Sequence, residues 1–242
     1  IWAVTFFGGY VLHWNGSRWV VAKHLPGNGG ELTGVTALSA TNVWVFGGGG
    51  FIGGLGTWHY NGTSWQQWKG SAAGLERASA LSANSIWAVG SGTSPDSTIQ
   101  HFNGNTWQTV SAKALSGLQF FGIRAFSSTN VWVAAVTQGG VQPAYLVYYN
   151  GAGWTRIMVP WSVQVNNPVS DGHGGLWLTG FSVSTGQSYV VHRTSSGAWS
   201  RTAVSADLQG LALIPGTTSL WAVGAKATST GANAVIWAYG SV

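Results

Sequence analysis

The chain has no cysteine, one methionine, and only 10 Lys or Arg and 5 Asp or Glu among 242 residues. The lack of cysteine excludes disulfides, thiolate nucleophiles and thiolate metal centres. Charged residues make up 6%, against about 25% in an average domain. So little charge excludes a coiled coil, a charged disordered tail and a helical enzyme rich in Glu, Lys and Arg. No apolar run approaches the ~18 residues of a membrane-spanning helix, and no signal-peptide pattern is visible. The net charge is +5, but the cations are scattered from Arg18 to Lys226 without forming a stripe. A nucleic-acid partner is therefore not expected. What is abundant is Gly (37) and Trp (16), within a chain that is 45% hydrophobic and 13% aromatic. That content supplies a core and excludes general disorder.

The tryptophans are periodic. Trp2, Trp44, Trp87, Trp132, Trp177 and Trp221 each sit inside a short apolar run, 42 to 45 residues apart. A second column follows at Trp19, Trp65, Trp107, Trp154 and Trp199. Ahead of it stand Asn15-Gly16, Asn61-Gly62, Asn103-Gly104 and Asn150-Gly151, with Ser195-Ser196 in the fifth copy. Asn-Gly between apolar runs marks a tight turn, and a repeat of this length divides into four short strands. In the second copy the strands are expected at 34–39 (A), 42–46 (B), 57–60 (C) and 64–68 (D). No segment has helical periodicity with a start signal. The expectation is an all-β β-propeller of six blades with four antiparallel strands each, one blade incomplete. A single domain over 1–242 would carry repeats near 1–33, 34–76, 77–121, 122–165, 166–209 and 210–242. The first copy lacks strand A and the sixth stops before strand D, a shortfall of about 22 residues against six full repeats. The expectation is therefore a fragment of a longer parent chain or a short segment supplied elsewhere, with a higher blade number if more repeats were lost.

The repeat, carried by residues 39–46, 59–62 and Trp65 and again by 82–90 and 101–107, resembles bacterial propeller repeats grouped with tectonin and tachylectin. It also resembles the kelch-like, galactose-oxidase-central-domain-like propellers of secreted bacterial proteins. The resemblance covers nearly the whole chain and implies a propeller, often sugar-binding in the tectonin and tachylectin group. The Cys that galactose oxidase cross-links to Tyr is absent here. The turn is similar to the Asp-box of sialidases, but with Asn or Ser in place of the aspartate.

Chemistry-bearing residues are few. His13, His59 and His101 share one repeat position, which Tyr148 continues, while His24, His173 and His192 read as lying off that column. A repeating column spreads its members over successive blades, whereas metal ligands must converge, so no metal site and no cofactor are expected. The acids are Glu31, Glu76, Asp96, Asp171 and Asp207. Acid–base cleavage of a glycoside needs two facing carboxylates. Glu31, Glu76 and Asp207 are expected in D–A loops and Asp96 in a B–C loop, one face on which Glu31 could meet Glu76, against the plainer reading of solvated loop carboxylates. No GxSxG elbow or phosphate-binding loop is present, and no catalytic residue is assigned. Residues that break the repeat are the better ligand-binding candidates: Trp58, Trp68, Trp161, His24, Phe121, Arg77 and Arg124. Phe51 and Phe120 lie beside the same loops. An aromatic near a planar donor can hold a sugar by stacking and hydrogen bonds. The leading expectation is a non-catalytic extracellular or cell-surface binding module, lectin-like, with glycans or another protein as partner. The alternatives are a structural module of a larger secreted or surface protein, and a lyase or hydrolase using Glu31, Glu76 and an arginine.

Overall fold

The computed structural model describes residues 1–27, 30–48, 54–69, 74–90, 98–139 and 143–240. Among them are 22 strands and one helical turn, Lys113–Leu115. The strands form six sheets, each a meander in chain order. The first holds β1 (Trp2–Val4), β2 (Tyr10–Trp14) and β3 (Trp19–His24). The second holds β4 (Gly34–Ser39), β5 (Asn42–Gly47), β6 (Gly56–Tyr60) and β7 (Trp65–Trp68). The third holds β8 (Arg77–Ser82), β9 (Ser85–Gly90), β10 (Thr98–Phe102) and β11 (Trp107–Thr109). The fourth holds β12 (Leu118–Ser127), β13 (Asn130–Thr137), β14 (Ala144–Tyr149) and β15 (Trp154–Met158). The fifth holds β16 (Gln164–Ser170), β17 (Leu176–Phe181), β18 (Ser188–Arg193) and β19 (Trp199–Val204). The sixth holds β20 (Asp207–Leu213), β21 (Leu220–Thr228) and β22 (Gly231–Tyr239).

The fold is an all-β, six-bladed propeller. Two sheets, rather than one, have three strands: the first begins at the B position and the sixth ends at the C position. In the second sheet the expected strands match the observed ones to within one residue at each end. Strand β20 begins at Asp207, four residues earlier than the Leu211 start that apolar content suggests, because Asp207 and Leu208 pair with Ala225 and Gly224.

By contact density the chain forms two compact units, residues 1–131 with 149–154, and residues 132–148 with 155–242. Within the first, β5 and β9 are buried from their second residue to their last, so both faces are covered. That double burial explains their unbroken apolar runs. One core cluster joins Trp44, Phe46, Leu75, Ile86, Phe102 and Trp107. A second joins Val11, Leu25, Leu32, Val45 and Leu55. In the second unit, Val190, Leu208, Leu220 and Ala222 form the corresponding core.

The turn before each D strand follows from its residues. Asn61 Oδ1 accepts the backbone N–H groups of Thr63 and Ser64 at 3.0 and 2.9 Å. Asn15, Asn103 and Asn150 each accept two such amides in their own turns. Gly62 has φ +92°, and a Cβ there would lie 2.7 Å from the Thr41 Cβ in the A–B turn of the same sheet. The sequence needs Asn for the side-chain cap, and Gly both for the left-handed backbone and for the close approach.

Candidate functional site

In the first five sheets the B-strand tryptophan packs its ring against a C-strand His or Tyr ring, whereas Trp221 of the sixth sheet pairs in register with Ala238. Trp44 faces His59 with centroids 4.3 Å apart, and Trp87 faces His101 at 4.4 Å. Trp2 stacks on His13, and Trp132 on Tyr148. In the fifth sheet Trp177 pairs in register with His192, at 4.0 Å and 19° between planes. His192 therefore belongs to the column that the sequence reading placed it outside. The turn after it is one residue longer than the Asn-Gly turns, with Thr194 bonded to Ala198 in the place of Asn61 bonded to Ser64. Counting back from Ser195 shifts the alignment by one. The following residue does not recover it, because Arg193 stands where Tyr60, Phe102 and Tyr149 stand in the other copies.

The histidine's other partner distinguishes the fifth sheet. His59 Nε2 lies 3.0 Å from Asn42 Oδ1, and His101 Nε2 lies 3.0 Å from Ser85 Oγ. Both partners are neutral, and burial holds both imidazoles below their ordinary value. The fifth repeat has Gly175 at the Asn42 position, two residues before its B-strand tryptophan. The carboxylate of Asp171 fills the vacated space, since a Cβ on Gly175 would collide with Asp171 Oδ2. Asp171 Oδ2 accepts from His192 Nε2 at 2.9 Å, while Oδ1 accepts from the amides of His173 (2.8 Å) and Gly175 (2.7 Å). A carboxylate only accepts, so the proton sits on Nε2 and the Nδ1 of a neutral His192 is an acceptor. Burial alone pushes the Asp171 carboxyl up. The bonds from His192, His173 and Gly175, together with the His192 charge, outweigh burial and leave it below the ordinary carboxylate range.

Beside this pair lies a cavity of about 560 Å³ lined by Asp171, His173, Trp177, His192, Thr218 and Tyr239, among others. Trp177 meets Tyr239 edge to face at 5.2 Å, so two aromatics, two imidazoles and the hydroxyls of Thr194, Ser195 and Thr218 line one hollow. A neighbouring hollow of about 590 Å³ shares His173 and Thr218. The cavity opens at the end of the sheet where the A–B and C–D turns lie, away from the D–A and B–C loops in which the sequence reading placed its ligand candidates.

The fifth sheet departs from the repeat once more at Arg193. Tyr60 and Trp65 approach Trp2, Phe102 and Trp107 approach Trp44, and Tyr149 and Trp154 approach Trp87. Arg193 takes the Tyr60 position, with its guanidinium carbon 5.3 Å from the Trp132 ring and 5.8 Å from the Trp199 ring. Trp199 contacts Trp161 edge-on at 6.3 Å, and Arg201 lies 4.9 Å from the Trp161 ring and 4.6 Å from the Tyr189 ring. The result is a ladder within one unit in which each of two arginines lies between two aromatic rings.

Of the sequence-selected residues, Trp161 lies in this ladder and also lines a cavity of about 350 Å³ with Pro143, Met158, Pro160 and Ser162. The others belong to the first unit. Trp58 donates Nε1–H to the Leu55 carbonyl at 2.8 Å and packs on a core cluster. Trp68 packs against Trp44 and Phe102. His24 is exposed and stacks on Tyr10 at 4.4 Å. Arg77 and Arg124 are exposed on β8 and β12, Arg124 over the Phe126 ring at 5.8 Å, and Phe121 is half-buried on β12. Phe120 is buried. Phe51 and Asp96 lie outside the described residues. Glu31 is buried in the first unit, and the Asp171 cluster belongs to the second. Among the described residues no three His, Cys, Asp or Glu side chains are grouped as a metal site would require.

No protein-family model and no curated protein matches the chain. Solved structures do. A SapL1 lectin in complex with α-methyl fucoside aligns with a TM-score of 0.63 at 11% identity, over 99% of this chain and 88% of that one. The six-bladed fucose-recognising lectin of Aleuria aurantia aligns with a TM-score of 0.54 at 16% identity, covering 84% of this chain and 72% of that one. A YCF48 structure bound to a D1 peptide gives 0.53 at 16% identity, covering 80% of this chain and 60% of that one. This chain thus spans less than two thirds of that YCF48 chain. At these identities the likeness is one of fold.

Proposed function

We propose that the chain is a non-catalytic, carbohydrate-binding propeller that holds a sugar in the cavity beside Asp171 and His192. The observation that carries this reading is the lining of that cavity: Trp177 and Tyr239 for the apolar face of a sugar ring, with His173, His192 and Thr218 for its hydroxyls. Aromatic surface with a few fixed polar groups is the usual build of a small-ligand site. The hydrogen bonds of Asp171 fix the His192 tautomer, so the site offers a defined acceptor at Nδ1. Cleavage is not part of the reading. Asp171 is the one carboxylate in the lining, and both its oxygens are occupied. The fucoside-bound state of the SapL1 neighbour and the tectonin- and tachylectin-like repeat favour the same ligand class. An extracellular or cell-surface place, where glycans are met, belongs to this reading. No described helix is long and apolar enough to cross a membrane.

A glycan array on the purified chain, followed by calorimetry of the best hit, tests it. His173→Ala and His192→Gln are expected to weaken binding by roughly tenfold each, the loss of about one hydrogen bond. Their thermal midpoints should stay near that of the parent. A blank array, or a sugar bound equally well by both variants, overturns the assignment.

A further inference from the structure

We propose that Arg201, held between Trp161 and Tyr189, is the anchor of a separate subsite for a carboxylate-bearing ligand such as an acidic sugar. The argument starts from what the guanidinium lacks. Arg201 sits on β19, exposed, and no described oxygen accepts from it. The two acids of its unit are committed elsewhere, Asp171 to His192 and Asp207 to the side-chain amide of Gln209 at 2.7 Å. A ring centroid at 4.9 Å and another at 4.6 Å interact with the guanidinium through their π systems. No hydrogen bond joins the guanidinium to either residue among the described contacts. The side chain is thus ordered while its N–H groups are left for water or a ligand.

An immobilised, uncompensated fork of N–H donors matches the two oxygens of a carboxylate, which it binds bidentately. Most of the ordering entropy that normally weakens an exposed arginine contact is already spent by the two rings. Trp161 also lines the 350 Å³ cavity with Pro143, Met158, Pro160 and Ser162. Trp161, one of the two rings that hold the charge, thus also borders a mainly apolar hollow, which suits a ligand that carries a ring beside its acid group rather than a bare inorganic anion. None of these residues lines the cavity at Asp171, so the subsite does not depend on the proposal made for that cavity.

The side-chain Nε–H resonances of the ¹⁵N-labelled chain, followed at constant ionic strength, provide the test. Sodium glucuronate, glucose and inorganic phosphate are titrated in turn, and Arg201→Lys identifies the Arg201 peak by its disappearance. Glucuronate is expected to move that peak to saturation, and glucose and phosphate to leave it in place. Arg201→Lys keeps the charge but loses the fork, and should weaken glucuronate binding, read by calorimetry for this variant, about tenfold. Trp161→Ala should do the same by freeing the guanidinium, and His173→Ala should change nothing. Equal affinity for glucose or phosphate, or glucuronate binding that survives both Arg201→Lys and Trp161→Ala, overturns the proposal.

Discussion

At the scale of single residues, the Asn-Gly turns show how much of the fold rests on backbone chemistry. Gly62 combines φ +92° with a close approach to Thr41, so a side chain there meets both dihedral strain and a collision. Gly62→Ala is expected to lower the unfolding free energy by about 1–3 kcal/mol, measured by urea denaturation. Gly16 has a comparable φ of +103° with nothing within 4 Å of a built Cβ. Gly16→Ala should therefore be the milder change, and equal costs would show that strain alone matters. These turns were legible in the sequence because Asn-Gly has one dominant structural meaning. Asp171 was not, because its role depends on Gly175 being empty and His192 being one residue out of the expected spacing. Neither fact exists until the strands are in register.

Among elements, the stacked tryptophan–histidine pairs make the second and third sheets acid-sensitive. The folded-state values of His59 and His101 are depressed by burial, so the unfolded chain binds protons more readily. Their contribution to stability is fully present above the ordinary imidazole value of about 6.5 and is lost as pH falls below it. Asp171 is also depressed, and its contribution is lost in a lower window, below about pH 4. Thermal melts across pH 3 to 8 should then show two separate declines. A His59→Gln, His101→Gln double variant should flatten the upper decline, and Asp171→Asn the lower one. A melt curve unchanged by these variants would sink the assignment of both steps. Strand positions in the second sheet could be read from apolar runs and turn residues. The cross-strand pairing that sets these protonation properties could not, because register is a property of two strands together.

For the molecule as a whole, scarcity of charge means that packing carries the fold. Asp171 and His192 are joined at 2.9 Å by a hydrogen bond that becomes an ion pair only when the imidazole is protonated, and 6% of the sequence is charged. Salt acts on stability largely by screening charges. Between 0.05 and 1 M NaCl the melting midpoint should therefore move by only about 2–3 °C. A fall of roughly 10 °C would reveal a charge network that these contacts do not contain. The six-bladed architecture was legible because the same Trp-centred pattern recurs six times, and a repeat averages out local ambiguity. The candidate sites were hardly legible for the same reason in reverse. They are built where one copy departs from the others, and a departure has no second instance to confirm it.

The exchange at Gly175 has a consequence for how this blade can change over time. Restoring an asparagine at position 175 would drive it into the Asp171 carboxylate. Removing Asp171 alone would strip His192 Nε2–H, and the amides of His173 and Gly175, of their acceptor. Each single step passes through a damaged protein, so the charged version and the neutral version of this joint are separated by a valley. The aspartate and the glycine are therefore expected to change only together, as one joint rather than as two positions.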